Sequence, residues 1–149
     1  MPRIVMIGGH GKVALLAAPL LVDAGHEVVS LIRNPDHSAD VAATGATPLV
    51  LSVEEADVAE LTRVFAGADA IVWSAGAGGK GGPERTDAVD RAAAIRSMEA
   101  AAAAGVTRYV MVSFLTAYGE VPDDHPLRAY AIAKIAADRH LQTTDLADR

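Results

Sequence analysis

The stretch "RIVMIGGHGKVALLAAPLLVDAGHEVVSLIRNP", Arg3 to Pro35, decides the fold of this chain. Its first five residues, Arg3 to Ile7, form a short apolar run of the kind that fills a fully buried strand, and Glu27 to Ile32 form a second. Between them Lys12 to Ala24 carry a helical pattern that Gly25 stops. Strand, helix and strand at this spacing imply a right-handed crossover between parallel strands. The first strand joins the helix through "GGHGKVA", Gly8 to Ala14, which fits G-x-x-G-x-x-A from Gly8 and G-x-G-x-x-A from Gly9. Glycines let a backbone approach a pyrophosphate, a helix N-terminus offers free N–H groups and the positive end of a dipole, and a small Ala14 permits close helix-to-strand packing. The loop is therefore expected to hold a dinucleotide through Gly8, Gly9, Gly11 and Val13, with His10 and Lys12 either beside the phosphates or exposed.

The same alternation continues down the chain. Thr47 to Leu51, Ala70 to Ser74 and Arg108 to Val112 are three further runs of the buried-strand type, with helical segments between them. Ser52-x-x-Glu55 fits a capping box and predicts a helix starting at Ser52. A longer helix is predicted over Glu84 to Ala104, with Pro83 near its first turn and Gly105 just past its end, and a last one from Pro126 towards Leu146. Pro19, inside the first helix, should kink it. The expected fold class is α/β, a doubly wound parallel sheet with helices on both faces, in one domain over residues 1–149.

Composition excludes several functions. The chain has 149 residues, 51% hydrophobic and 21% charged, as in a soluble globular domain. Thirteen Lys and Arg against nineteen Asp and Glu leave a net charge of −6, so neither nucleic acid nor a membrane is an expected partner. There is no Cys, which rules out disulfides and thiolate chemistry. The uncharged run Val13 to Val22 is too short to span a bilayer, and a cytoplasmic location is the expectation. His10, His26, His37, His125 and His140 show no ligand spacing, so no metal is expected. No G-x-S-x-G elbow is present to suggest hydrolase chemistry.

Two short segments bear on the cofactor and on catalysis. The second strand ends in "LIRNP" with no acidic residue to bind ribose hydroxyls, and Arg33 is placed to meet a 2′-phosphate, which makes NADP the expected cofactor. "YAIAK" sets Tyr130 and Lys134 four residues apart, on one face of a helix, where an ammonium beside a phenol would favour its ionised form.

"GGHGKVA", "LIRNP", "WSAGAGG", "VDRAAAI", "RYVMVS" and "YAIAK", in this order and spacing, resemble the atypical short-chain dehydrogenase/reductases, nearest to the NmrA-like and epimerase/dehydratase group. The resemblance covers essentially the whole chain. It implies a Rossmann-like sheet of five strands in order 3-2-1-4-5. It also implies a cofactor pocket lined by the segment Ala75 to Gly79, with Ala75 and Gly76 at its start, and catalysis by Ser113, Tyr130 and Lys134. In the family the Ser orients a substrate carbonyl, the Tyr donates a proton, and the Lys supports it and holds the nicotinamide ribose. Asp90 is the candidate for the fourth member, with Asp87 as its competitor. Relatives often carry an acidic residue after the third strand to meet the adenine; here Ser52 takes that place. Family members continue beyond "LQTTDLADR" into a sixth strand and a substrate-binding portion. The implied function is an NADP(H)-dependent oxidoreductase of a small carbonyl or quinone-like substrate, or else a non-catalytic NADP(H)-binding redox sensor. With the fifth strand as an edge, the expectation is a homodimer or higher oligomer, or a monomer whose tail folds over that edge.

Overall fold

Val5 and Ile7 face one side of a sheet and Met6 the other, and all three are fully buried, which is why β1 (Arg3–Ile7) reads as a continuous apolar run. A computed structural model describes residues 2–75, 82–113, 124, 127–144 and 146. After β1 come α1 (Lys12–Asp23), β2 (Glu27–Ile32), a single 3₁₀ turn at Pro35–His37, α2 (Ser38–Ala42) and β3 (Thr47–Val50). The second half runs through α3 (Val58–Phe65), β4 (Ala70–Trp73) and α4 (Gly82–Thr86). A π-helical segment, Asp87–Ala93, passes directly into α5 (Ala94–Ala103), followed by β5 (Arg108–Met111) and α6 (Arg128–Gln142). The five strands are parallel, in the order β3-β2-β1-β4-β5, as expected from the resemblance.

Two cores sandwich the sheet. On one side Val5, Ile7, Val29, Leu31, Ile71, Trp73 and Tyr109 pack against Leu61 and Phe65 of α3, Met98 and Ala101 of α5, and Ala137 of α6. On the other, Met6, Val28 and Ile32 pack against Ala14 and Ala18 of α1 and Val41 of α2. This second layer is narrower. Val110 of β5 remains 43% exposed, and Leu16 and Leu20 on the outer side of α1 are more exposed still. The amide of Tyr109, on the outer edge of β5, donates to the carbonyl of Leu146 at 3.2 Å, and Leu146 is itself buried in the larger core. The tail thus takes up part of the edge.

Several element limits differ from the sequence reading. Helix α1 continues past Pro19 to Asp23. The long helix over Glu84 to Ala104 is a composite, because its middle is π-helical. Pro126 lies outside the described residues, and α6 is described from Arg128. Ser52 caps no helix. The Asp57 carboxylate accepts the Glu60 amide at 2.8 Å and caps α3, whereas Ser52 opens a turn that its carbonyl closes by accepting from the Ala56 amide. Asp57-x-x-Glu60 repeats the capping pattern five residues on, with a charged acceptor that complements the helix dipole. The turn before it is what buries Ala56 against the core. Asp57→Ala should lower unfolding stability by about 1 kcal/mol in urea melts, and Ser52→Ala should leave the midpoint within error. Equal losses from the two substitutions would restore the Ser52 cap.

Candidate active site

The glycine loop crosses the C-terminal ends of the central strands, and each glycine does something different. Gly8 has φ +80, and a Cβ on it would stand 2.5 Å from the Ala75 Cα. A Cβ on Gly9 would stand 2.4 Å from the Ser30 Cβ. These two are required by the protein's own packing. Gly11 is not: its φ is −65, and a Cβ would make only ordinary contacts at 3.5 Å or more. It is the N-cap of α1, no side chain caps the first turn, and no acidic residue lies there. The missing side chain at Gly11 leaves space in front of open N–H groups, which fits a pyrophosphate.

That space belongs to a cleft of about 450 Å³. Gly8, Gly9, His10, Gly11, Arg33, Ser52 and Ala75, all among the sequence's candidates for the cofactor, line it. Lys12 and Val13 do not line it, and Val13 is 52% exposed on the flank of α1. Gly76 lies outside the described residues. Five polar wall residues escaped the sequence reading: Asn34, His37, Glu54, Ser74 and Arg85. The Asn34 side chain accepts the Asp36 amide and sets the turn that carries His37. His37 then stacks on His10, ring centroids 3.6 Å apart, while the His10 Nε2 meets Asp40 Oδ2 at 2.9 Å. Glu54 stands between two cations, its Oε2 3.8 Å from Arg33 and 3.5 Å from Arg85.

At the next strand ends a second cluster forms around Lys134. This side chain is 1% exposed, and its Nζ donates to the Val112 carbonyl at 2.8 Å and contacts the Met111 sulfur at 3.1 Å. Burial pulls its ammonium below the ordinary lysine range, and Asp90 and Asp138 oppose that shift. The sequence named Asp90 and Asp87 as competitors, and packing separates them. Asp90 is buried on the π-helical segment facing α6, whereas Asp87 is half-exposed and held by Arg91, which donates to it at 2.7 Å. Arg91 and Arg96 are both engaged elsewhere than Asp90, Arg96 donating to the Glu54 carbonyl at 2.9 Å. Ser113 follows β5, and its hydroxyl donates to Asp138 Oδ2 at 2.7 Å. Asp138 was missed, although Tyr130, Lys134 and Asp138 stand at steps of four on one helix.

The phenol of Tyr130 departs from the expected electrostatics. Burial, then the charges of Asp90 and Asp138, push it above the ordinary tyrosine range, and the ammonium meant to lower it is committed to the Val112 carbonyl. Both effects favour the protonated phenol. The cluster adjoins the cleft at Val89, which lines the cleft one residue before Asp90, and the Val112 amide, bonded to the Trp73 carbonyl, continues β5 beside β4 up to Ser113.

A glycine loop at the switch of a five-stranded parallel sheet, opening on an unobstructed helix N-terminus, defines a dinucleotide-binding α/β protein. The family model described as NAD(P)H-binding matches residues 8–148, and the chain belongs to that family. The UPF0659 protein C216.03 of Schizosaccharomyces pombe is 40% identical over 115 residues, 76% of this chain and 47% of that protein. The "Uncharacterized sugar epimerase YhfK" of Bacillus subtilis is 32% identical over 145 residues, 97% of this chain and 67% of that protein. Among solved structures, the "Putative NAD-dependent epimerase/dehydratase from Bacillus halodurans" superposes with a TM-score of 0.88 at 31% identity, over 98% of this chain and 67% of that one. The chain thus spans between about half and two thirds of the length of the proteins it matches. The epimerase/dehydratase-like fold of the NAD(P)-binding group expected from the motifs is present.

Two predictions follow from the site's geometry. Gly11→Ala should leave the melting temperature nearly unchanged yet weaken dinucleotide binding about tenfold or more in a fluorescence titration, because only the ligand needs that space. Gly8→Ala, with a positive φ and a clash against Ala75, should cost on the order of 3 kcal/mol of stability. For the phenol, Asp138→Asn or Asp90→Asn removes a negative charge that disfavours tyrosinate. Tyr130 should then ionise at lower pH, read as tyrosinate absorbance against a Tyr130→Phe background. An unmoved midpoint would leave burial as the sole cause.

Proposed function

We propose that the chain is an NADP(H)-dependent oxidoreductase of the atypical short-chain type, interconverting a small carbonyl or quinone-like compound and its reduced form. The observation that carries this reading is that the cluster of Ser113, Tyr130, Lys134 and Asp90 lies beside the glycine-loop cleft, whose wall includes Val89, one residue before Asp90. A bound nicotinamide cofactor would supply or accept the hydride. The protein's part is to place a proton and exclude water. Tyr130, held protonated, donates to the oxygen on which alkoxide charge develops. An ammonium has three donors; with Val112 and Met111 using two, Lys134 keeps one for a cofactor ribose hydroxyl. Buried Asp90 stabilises that ammonium.

The preference for NADP rests on Arg33 and on the second wall cation, Arg85, which together surround Glu54. A 2′-phosphate at this wall would gain charge-assisted contacts from the arginines and meet repulsion from Glu54. NADPH should therefore bind more tightly than NADH. Arg33→Ala should erase the difference, at a cost of about 1.5 to 3 kcal/mol, roughly ten- to hundredfold. Glu54→Gln should tighten NADPH further. Equal affinities for the two cofactors in the parent protein would remove the NADP reading.

A second reading, a non-catalytic NADP(H)-binding sensor, is favoured by the commitment of Lys134 to the backbone and by the raised phenol. A turnover screen with carbonyls and quinones separates the two. Turnover that collapses in Tyr130→Phe while NADPH binding persists supports the enzyme; binding with no turnover supports the sensor.

A further inference from the structure

His10 and His37 come from different elements and meet face to face on the cleft wall. His10 belongs to the glycine loop and His37 ends the 3₁₀ turn after β2, and their ring centroids stand 3.6 Å apart with the planes 12° from parallel. Each ring is held from behind. Asp40 of α2 meets the Nε2 of His10 at 2.9 Å, and because an ionised carboxylate can only accept, that nitrogen carries a proton whether the ring is neutral or charged. The turn under His37 is closed by the Asn34 side chain, which accepts the Asp36 amide at 2.9 Å, and by the Asn34 carbonyl, which accepts the His37 amide at 3.0 Å. Pro35 fixes its first backbone angle. Arg33 and His37 thus stand at the two ends of one rigid turn, and both line the cleft.

The charged and titratable groups around the pair can be named. Asp40 engages His10, Asp36 shares the turn of His37, and Arg33 and Arg85 stand along the cleft wall with Glu54 between them. Lys12, at the start of α1, is outside the lining. The arginines are cations at every working pH, whereas imidazole is the side chain that exchanges its proton between about pH 5 and 8. Two stacked imidazolium rings repel each other, and an anion on the cleft side opposes that repulsion. A phosphate monoester suits this place, because its second ionisation lies near about pH 6, so it is dianionic where imidazoles begin to lose their protons. We propose that His37, braced by His10 and Asp40, is a second 2′-phosphate-binding residue beside Arg33 and takes a proton from solvent as NADP(H) binds, so that the preference for NADP(H) over NAD(H) rises as pH falls. The gain is full where the ring is charged in the complex and is lost as rising pH neutralises it. The proposal rests on the NADP(H) reading above and adds to it a residue and a proton.

The test is calorimetric titration of the full chain with NADP⁺ and with NAD⁺ between about pH 6.5 and 8.5, in buffers of different ionisation enthalpy. The ratio of the two affinities should be roughly tenfold larger at the acid end than at the alkaline end, and NADP⁺ should take up more protons on binding than NAD⁺ does. Groups that act on both cofactors alike cancel in the ratio. His37→Gln should hold the ratio at its alkaline value throughout and abolish the extra uptake. His10→Ala removes the brace and should shrink the pH response while sparing the alkaline ratio, a pattern that a merely structural loss, weakening binding at every pH, does not give. Arg33→Ala then erases the preference at the alkaline end and leaves part of it at the acid end. A ratio that does not change with pH, a proton uptake shared equally by NAD⁺, or a pH response that survives in a folded His37→Gln overturns the inference while nucleotide binding stands. Failure of the underlying reading looks different: neither cofactor binds at any pH, or NAD⁺ is preferred throughout, and the inference falls with it.

Discussion

The near-contact of the Gly8 backbone with Ala75 is the constraint on which the rest of the molecule depends. Only without a side chain, and with a positive φ, can the chain leaving β1 turn across the end of β4 and still enter α1 in register. Gly8 and Gly9 both donate their amides to the Leu31 carbonyl at the end of β2, and Gly9 passes against Ser30 of that strand. The loop is thereby pinned to both neighbours of β1. With the loop pinned, the first turn of α1 must point its amides over the sheet ends, and the cleft is the space in front of them.

Charge around that cleft is arranged against the overall balance of the chain. The protein carries a net charge of −6, yet two arginines line the cleft against one glutamate. Glu54 keeps Arg33 and Arg85 from repelling one another, and Asp40 engages His10 from outside the lining. An anionic ligand meets a wall whose cations are already held in place, so less side-chain freedom is lost on binding than with mobile lysines.

The cluster beyond the cleft is organised by α6 and the π-helical segment packed against it. Tyr130, Lys134 and Asp138 share one face of α6, and the wider π turn presents Asp90 towards them while leaving Asp87 with Arg91 at the surface. A buried ammonium is tolerable here because a main-chain carbonyl and two carboxylates oppose its desolvation. The same carboxylates act in the opposite sense on the phenol. The two negative charges thus favour the charged form of Lys134 against its burial and add to burial in favouring the neutral form of Tyr130, and Asp138 in addition accepts from the Ser113 hydroxyl.

The amino-acid sequence by itself determined the parallel sheet and the glycine loop at its edge. Those follow from local signals: apolar runs of four to six residues, glycines between strand and helix, and Gly25 and Gly105 at helix ends, each acting through its nearest neighbours along the chain. It also placed Tyr130 and Lys134 on one helix face, since that needs only the helical repeat. Tertiary structure alone decided what those side chains meet. Ser52 and Asp57 both head plausible capping boxes, and the choice fell to Asp57 because the turn before it buries Ala56. Asp90 was the sequence's candidate and Asp87 its competitor, and the π-helical segment buries only Asp90. Glu54 reaches Arg33, 21 positions earlier, and Asp138 reaches Ser113, 25 positions earlier, across strands whose approach no local pattern encodes. Charge and proton position depend on distances between elements, and those distances exist only once the sheet has closed.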